Sequence, residues 1–137
     1  MKRGNLIIAS VTVLGLLILN SCAKEDGVAP INTTTNASNF VGQWDNIEKI
    51  RSTPDLSTYP VIIESGSSST ILISKLYGFP SKITANVSST NFTIPQQIIQ
   101  GVYVSGHGVL LNPNQINMTY IVENGISNDT IDAKLTK

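Results

Sequence analysis

Apolar and polar residues alternate with a period of two along much of the second half of the chain. In KITANVS (82–88), Ile83, Ala85 and Val87 fall on one side of an extended backbone, Lys82, Thr84 and Asn86 on the other. In QINMTYIVE (115–123), Ile116, Met118, Tyr120 and Val122 alternate with Asn117, Thr119 and Ile121, and in TIDAKLTK (130–137) Ile131, Ala133 and Leu135 alternate with Asp132, Lys134 and Thr136. Such runs predict strands with one buried and one wet face. PVIIES (60–65) and STILISK (69–75) carry apolar residues on both faces and give weaker strand signals. Turn formers punctuate the pattern at Ser65-Gly66-Ser67, Gly78-Phe79-Pro80, Asn112-Pro113-Asn114 and Asn124-Gly125. The last is the strongest hairpin signal, because both residues tolerate the positive φ of a type I′ turn.

Short strands, tight turns and almost no helical period predict an all-β antiparallel meander of seven to nine strands. A meander of that size buries its apolar face by closing into a small up-and-down barrel of about eight strands, or by stacking as a β-sandwich. The inward set is expected to include Trp44, Ile71, Ile73, Ile83, Val87, Phe92, Ile94, Val104, Met118, Tyr120, Val122 and Leu135. These are medium to large side chains, and an eight-strand barrel is just wide enough for them to fill. The expectation is a packed interior, with recognition through loops or the outer face.

The first 21 residues are patterned differently. Lys2 and Arg3 precede an apolar run from Leu6 to Leu19, about 14 residues and shorter than the roughly 20 of a membrane span. That layout predicts a signal peptide over residues 1–21. The run ends at Leu19-Asn20-Ser21-Cys22, and Cys22 is the only cysteine. A lone thiol forms no internal disulfide and is a liability in an oxidising compartment. These four residues resemble the lipobox of bacterial lipoproteins. The resemblance implies cleavage before Cys22, a diacylglyceryl group on its thiol and acylation of the new amine, as with palmitate. Several acyl chains on one residue suffice for stable membrane anchoring. Lys24-Glu25-Asp26 resembles the export signal of Bacteroidota lipoproteins, which implies display on the outer-membrane surface; a periplasm-facing lipoprotein is the alternative. Residues 22–39, rich in Thr, Asn, Ala and Pro, read as the lipidated cysteine and a flexible tether, and residues 40–137 as one folded domain.

Charge changes the picture little. The chain has nine basic and nine acidic residues, and loss of Lys2 and Arg3 with the signal leaves a slight acidic excess. No Lys/Arg cluster exists to neutralise phosphates, so nucleic acid is not an expected partner. The membrane, through acylated Cys22, is one, and a protein or glycan is the other candidate.

At the start of the domain, Gly42-Gln43-Trp44 resembles the G-x-W opening of lipocalin-like, calycin-type barrels, in which the Gly permits a close bend and the Trp plugs one end. The stretch from Ile83 to Lys137, with its I-x-A-x-V strand, its Phe92-Thr93-Ile94-Pro95-Gln96-Gln97 corner, the Gly106-His107-Gly108 bend and a final A-x-L-T-K, resembles small Bacteroidota lipoproteins with lipocalin-like domains. That resemblance implies a fold and an address, and no common activity.

Candidate chemistry is sparse. His107, the only histidine, reads as part of a Gly-flanked bend beside Ser105, without a nucleophile elbow. One His and no spare Cys leave no zinc set, and ENGISNDTID lacks the spacing of a calcium loop. Asp45, Glu48, Asp55 and Glu64 read as surface carboxylates. No enzyme activity, metal or cofactor is expected. Asp129-Thr130-Ile131 resembles the D-S/T-aliphatic O-glycosylation signal of exported Bacteroidota proteins, with Thr130 as acceptor. The function expected is a lipid-anchored, non-enzymatic binding or accessory module. The alternative is a periplasmic inhibitor or envelope partner, since Val104–Gly108, VSGHG, resembles the Ser-Gly-rich loop of lysozyme-inhibiting barrels. Cys22→Ala is expected to abolish incorporation of labelled palmitate; equal incorporation in variant and parent would contradict lipidation.

Overall fold

The computed structural model describes residues 37–137. The signal peptide, Cys22, Lys24, Glu25, Asp26 and most of the tether lie outside the described residues. Eight strands follow in order: β1 (Gly42–Ile50), β2 (Leu56–Ser67), β3 (Thr70–Ser74), β4 (Ile83–Ser88), β5 (Asn91–Ile99), β6 (Val102–Asn112), β7 (Gln115–Glu123) and β8 (Asn128–Thr136). Each pairs antiparallel with the next, and β8 returns to β1 from Asp45–Thr136 to Ile50–Ile131. The sheet is a closed up-and-down barrel, so the sandwich alternative falls. Helix is confined to two 3₁₀ turns, Ala37–Asn39 and Leu76–Gly78.

All twelve residues expected to face inward are buried. One end of the barrel is plugged. There the first 3₁₀ turn brings Ala37 and Phe40 into the core, and Trp44 donates its indole N–H to the Phe40 carbonyl at 2.8 Å. Gly42 takes φ +138°, a conformation that disfavours a side chain, and the terminal Lys137 lies over the Trp44 ring, its Nζ 4.2 Å from the centroid. Phe40 meets Phe92 edge-to-face at 5.5 Å, a favoured aromatic geometry. The other end is bounded by loops 51–55 and 75–82, the Gln100-Gly101 turn and loop 124–127.

Several turns differ from the sequence expectation. Ser65-Gly66-Ser67 lies inside β2, at a bulge opposite β3, and the chain reverses at 68–69. The two-residue turn with positive φ at both positions is Gln100-Gly101 (50° and 83°), not Asn124-Gly125. Residues 124–127 form a four-residue loop in which Asn124 acts through its side chain. Its Oδ1 accepts from the amides of Ile126 (2.9 Å) and Ser127 (2.8 Å), the side-chain mimic of a turn that Asn provides.

Gly106-His107-Gly108 is not a bend but the middle of β6. Both glycines occupy inward positions where neighbours have taken the space of a side chain. A Cβ on Gly108 would enter the Phe92 ring, and one on Gly106 would sit 2.6 Å from the Thr119 carbonyl oxygen and from Tyr120 Cβ. Large rings over glycines on the adjacent strand are a recognised way of filling a curved sheet.

β4 and β5 pair only from Asn86–Thr93 to Ser88–Asn91, and Pro95 has no N–H for a ladder. The Gln97 carboxamide replaces the missing backbone bonds. Its Oε1 accepts from the Thr84 amide at 3.0 Å, and its Nε2 donates to the Thr84 carbonyl at 2.8 Å. Gly106→Ala, whose clash is with backbone that cannot turn away, is expected to destabilise the fold by about 1–3 kcal/mol in urea unfolding; a variant as stable as the parent would contradict this packing.

Candidate functional site

β1 departs from an apolar inner face. Its inward residues run Trp44, Asn46, Glu48, so an amide and a carboxylate enter the barrel interior, at 0 % and 6 % exposure. Glu48 was expected at the surface. Strand alternation places it inside because Asp45, Ile47 and Lys49 take the outer positions. Its Oε2 accepts from the Tyr120 hydroxyl, reaching past β8 from β7, at 2.7 Å, and from Asn46 Nδ2 at 3.1 Å. Burial and the neighbouring Glu48 charge push the Tyr120 phenol far above the ordinary tyrosine range, and burial with hydrogen bonding to Glu48 does the same to Tyr59.

Tyr77 covers this cluster at the unplugged end. Its backbone N–H donates to the Tyr59 hydroxyl at 2.8 Å, and its own hydroxyl donates to Asp129 at 2.7 Å. The Asp129 hydrogen bond, with burial, pushes the Tyr77 phenol up to about 12. The ring stands edge-on to Tyr120, 6.4 Å between centroids. Positive φ at Lys75 (67°), Tyr77 (54°) and Gly78 (74°) marks this as strained backbone, since non-glycine residues in that region hold their conformation only where surrounding contacts impose it.

A second feature lies on the outer wall. A groove of about 440 Å³ crosses β6, β7, β8, β1 and β2. Cross-strand register builds it from two rows: His107, Thr119, Asp132, Lys49 and Leu56 in one, and Val109, Asn117, Lys134 and Ile47 in the other. Ile47 and Leu56 supply exposed apolar surface, 43 % and 65 % accessible. Asp132 is the fixed point of the first row. It takes both guanidinium bonds of Arg51, at 2.7 and 2.8 Å, and the Thr119 hydroxyl at 2.9 Å. The Arg51 hydrogen bond holds its carboxyl down to about 2. Asp132 thereby neutralises Arg51, and Lys49 and Lys134 remain to give the groove a positive lining.

Of the residues singled out in the sequence, His107 and Ser105 share the outer face of β6, and no hydrogen bond or ion pair of His107 occurs among the described residues. Val104–Gly108 is strand and not a loop, so the inhibitor alternative lacks the loop on which it rested. Thr130 is half-buried on β8, and its carbonyl accepts from the Arg51 amide at 2.9 Å. Sequence reasoning missed Asn46, Tyr59 and Tyr77 and misplaced Glu48 at the surface. The signal available was the period of two in WDNIEKI, where continuing inward from Trp44 lands on Asn46 and Glu48.

No protein-family model and no curated protein matches the chain. Among solved structures it is similar to a redesigned β-barrel, with a TM-score of 0.56 and 14 % identity over 74 % of this chain and 93 % of that one. It is also similar to EF1p2_mFAP2b bound to DFHBI, with a TM-score of 0.58 and 14 % identity over 77 % and 98 %. At such identity the likeness is one of fold. The fold is an eight-strand, lipocalin-like barrel.

The raised phenols have a consequence at alkaline pH. The unfolded chain releases tyrosine protons near the ordinary value of 10.0, while folded Tyr77 holds its proton to about 12 and Tyr59 and Tyr120 hold theirs higher still. A group with a raised folded value stabilises fully below its unfolded value and loses that contribution as pH rises. Stability is expected to fall between pH 10 and 12, with a shallower slope in Tyr120→Phe. Denaturant titrations across that range, with near-UV absorbance reporting phenolate, check it; a flat profile in the parent would contradict the buried tyrosines.

Proposed function

We propose that this protein is a lipid-anchored, non-enzymatic binding module of the bacterial outer membrane, displayed at the cell surface through Cys22 and the Lys24-Glu25-Asp26 signal, and that its outer-wall groove holds an acidic glycan. The observation that carries the reading is the groove itself. The interior between the plugged end and Tyr120 is filled by large side chains, whereas the outer wall offers a concave strip with two lysines, an amide, a hydroxyl and exposed aliphatic surface. Rows of hydrogen-bonding groups at strand spacing, about 4.8 Å apart, match a polymer that repeats hydroxyl and carboxylate groups. Ile47 and Leu56 suit the apolar faces of sugar rings. That EF1p2_mFAP2b binds DFHBI supports binding as a use of this fold, with no bearing on ligand identity.

Thr130, on the β8 strand that also supplies Asp132 and Lys134, is proposed as a glycosylation acceptor.

Affinity electrophoresis of the full chain through gels containing polygalacturonate or neutral dextran tests the groove. Retardation by polygalacturonate alone is expected, lost on Lys134→Glu combined with Leu56→Asp; equal mobility in both gels, or unchanged retardation of the double variant, would contradict the reading. Protease shaving of intact cells tests the address. The parent is expected to be cleaved and the Lys24, Glu25 and Asp26 triple alanine variant protected, whereas a protected parent would place the protein on the periplasmic side.

A further inference from the structure

We infer that the Asn46–Glu48 pair inside the barrel is a receptor for a small primary ammonium group, admitted from the unplugged end beneath Tyr77. Two independent observations lead there. Glu48 is buried at 6 % exposure, and the ion pairs among the described residues, Arg51–Asp132 and Lys82–Glu64, do not include it. Its Oε2 accepts from two donors, Asn46 Nδ2 and the Tyr120 hydroxyl, and no basic side chain stands against it among the described residues. Separately, Asn46 is fully buried and its Oδ1 has no hydrogen-bond partner among the described residues.

The orientation of that amide is fixed by chemistry. Nδ2 donates to Glu48 at 3.1 Å; rotating the amide by half a turn would set two acceptor oxygens against each other and leave the NH₂ facing away. The unmatched atom is therefore an acceptor. A buried acceptor without a donor is costly, a buried carboxyl without a basic partner lies beside it, and one species answers both: a cation that donates hydrogen bonds. Ammonium and the head of a primary amine have three or more N–H donors and unit positive charge.

The surroundings supply selectivity. The hydroxyls of Tyr120 and Tyr59 add oxygen lone pairs at the same site, and their raised pKa values keep both phenols neutral, so they do not add charge. Tyr77 lies over this cluster, held by two hydrogen bonds, one to Tyr59 and one to Asp129. Its backbone sits in the left-handed region at φ 54°, a conformation those contacts hold in place. A quaternary ammonium has no N–H donors and so cannot satisfy the Asn46 acceptor.

The test compares methylammonium chloride with tetramethylammonium chloride at equal ionic strength on the full chain. Methylammonium is expected to raise Tm saturably by several degrees, and its methyl protons are expected to show a nuclear Overhauser effect to the Tyr120 ring. Tetramethylammonium is expected to do neither. Glu48→Gln should weaken methylammonium binding by at least about tenfold, the consequence of losing a charge-assisted bond. Equal responses to the two cations, no contact with Tyr120, or an unchanged affinity in Glu48→Gln would overturn the inference, as would a crystal soaked in methylammonium that shows only a water at Asn46 Oδ1. The comparison of the two cations needs no variant, so it decides the matter even if Glu48→Gln fails to fold.

Discussion

Pairing of β1 with β8, from Asp45–Thr136 to Ile50–Ile131, turns an eight-strand meander into a barrel without a free edge. An open sheet of these strands would present unpaired N–H and C=O groups and leave its apolar face half covered. Closure fixes the interior volume, and an interior of eight strands admits little beyond its own side chains. The glycines of β6 follow from that limit. Gly106 and Gly108 are bare because Tyr120 and Phe92 occupy the space their side chains would need. The plug follows as well: Trp44, Phe40 and the first 3₁₀ turn seal one end, each apolar side chain so buried being worth roughly 1.5–3 kcal/mol.

The closing strand is also the one that brings polar groups inside. β1 carries Trp44 at the plug and Glu48 near the other end, so one strand links the rigid base to the tyrosine-rich mouth. Glu48 cannot leave the interior without a register slip, and a slip would turn Trp44 outward. Tyr120 bonds Glu48 past the intervening β8, from a strand held against Gly106. Outside, the same register aligns Lys49 with Asp132 and Ile47 with Lys134, so the groove on the wall and the carboxylate within are two faces of one alignment.

Much of this was legible in the sequence, for a physical reason. Strands β4, β7 and β8 each have one wet and one buried face, and their alternation read correctly because the solvent imposes it. β1 was harder. Its outer face holds Ile47 and its inner face Asn46 and Glu48, so hydropathy pointed the wrong way for those positions, and only the phase set by Trp44 identified them. The turns were read by composition. That located the reversals at Gly78-Phe79-Pro80, Asn112-Pro113-Asn114 and Asn124-Gly125, but it missed Gln100-Gly101 and misread Ser65-Gly66-Ser67, which lies inside β2. It also gave the wrong turn type at Asn124-Gly125, where the Asn side chain shapes a longer loop. Gly106-His107-Gly108 suggested a bend, whereas both glycines answer a packing demand from the neighbouring strands β5 and β7. Tyr59 and Tyr77 could not be joined to Glu48 before the barrel closed, because their meeting depends on register across β1, β2 and the second 3₁₀ turn.

Closure is tested most directly by native-state hydrogen exchange of the ladder amides in β1 and β8. If the two strands close the barrel, the amides of Ile47, Lys49, Lys134 and Asp132 that bond across this seam exchange only through global unfolding, as slowly as the β6–β7 core amides and with the same denaturant dependence. Exchange of the β1 and β8 amides through local fraying, well ahead of β6 and β7, would show an open sheet with two edges and would contradict the account.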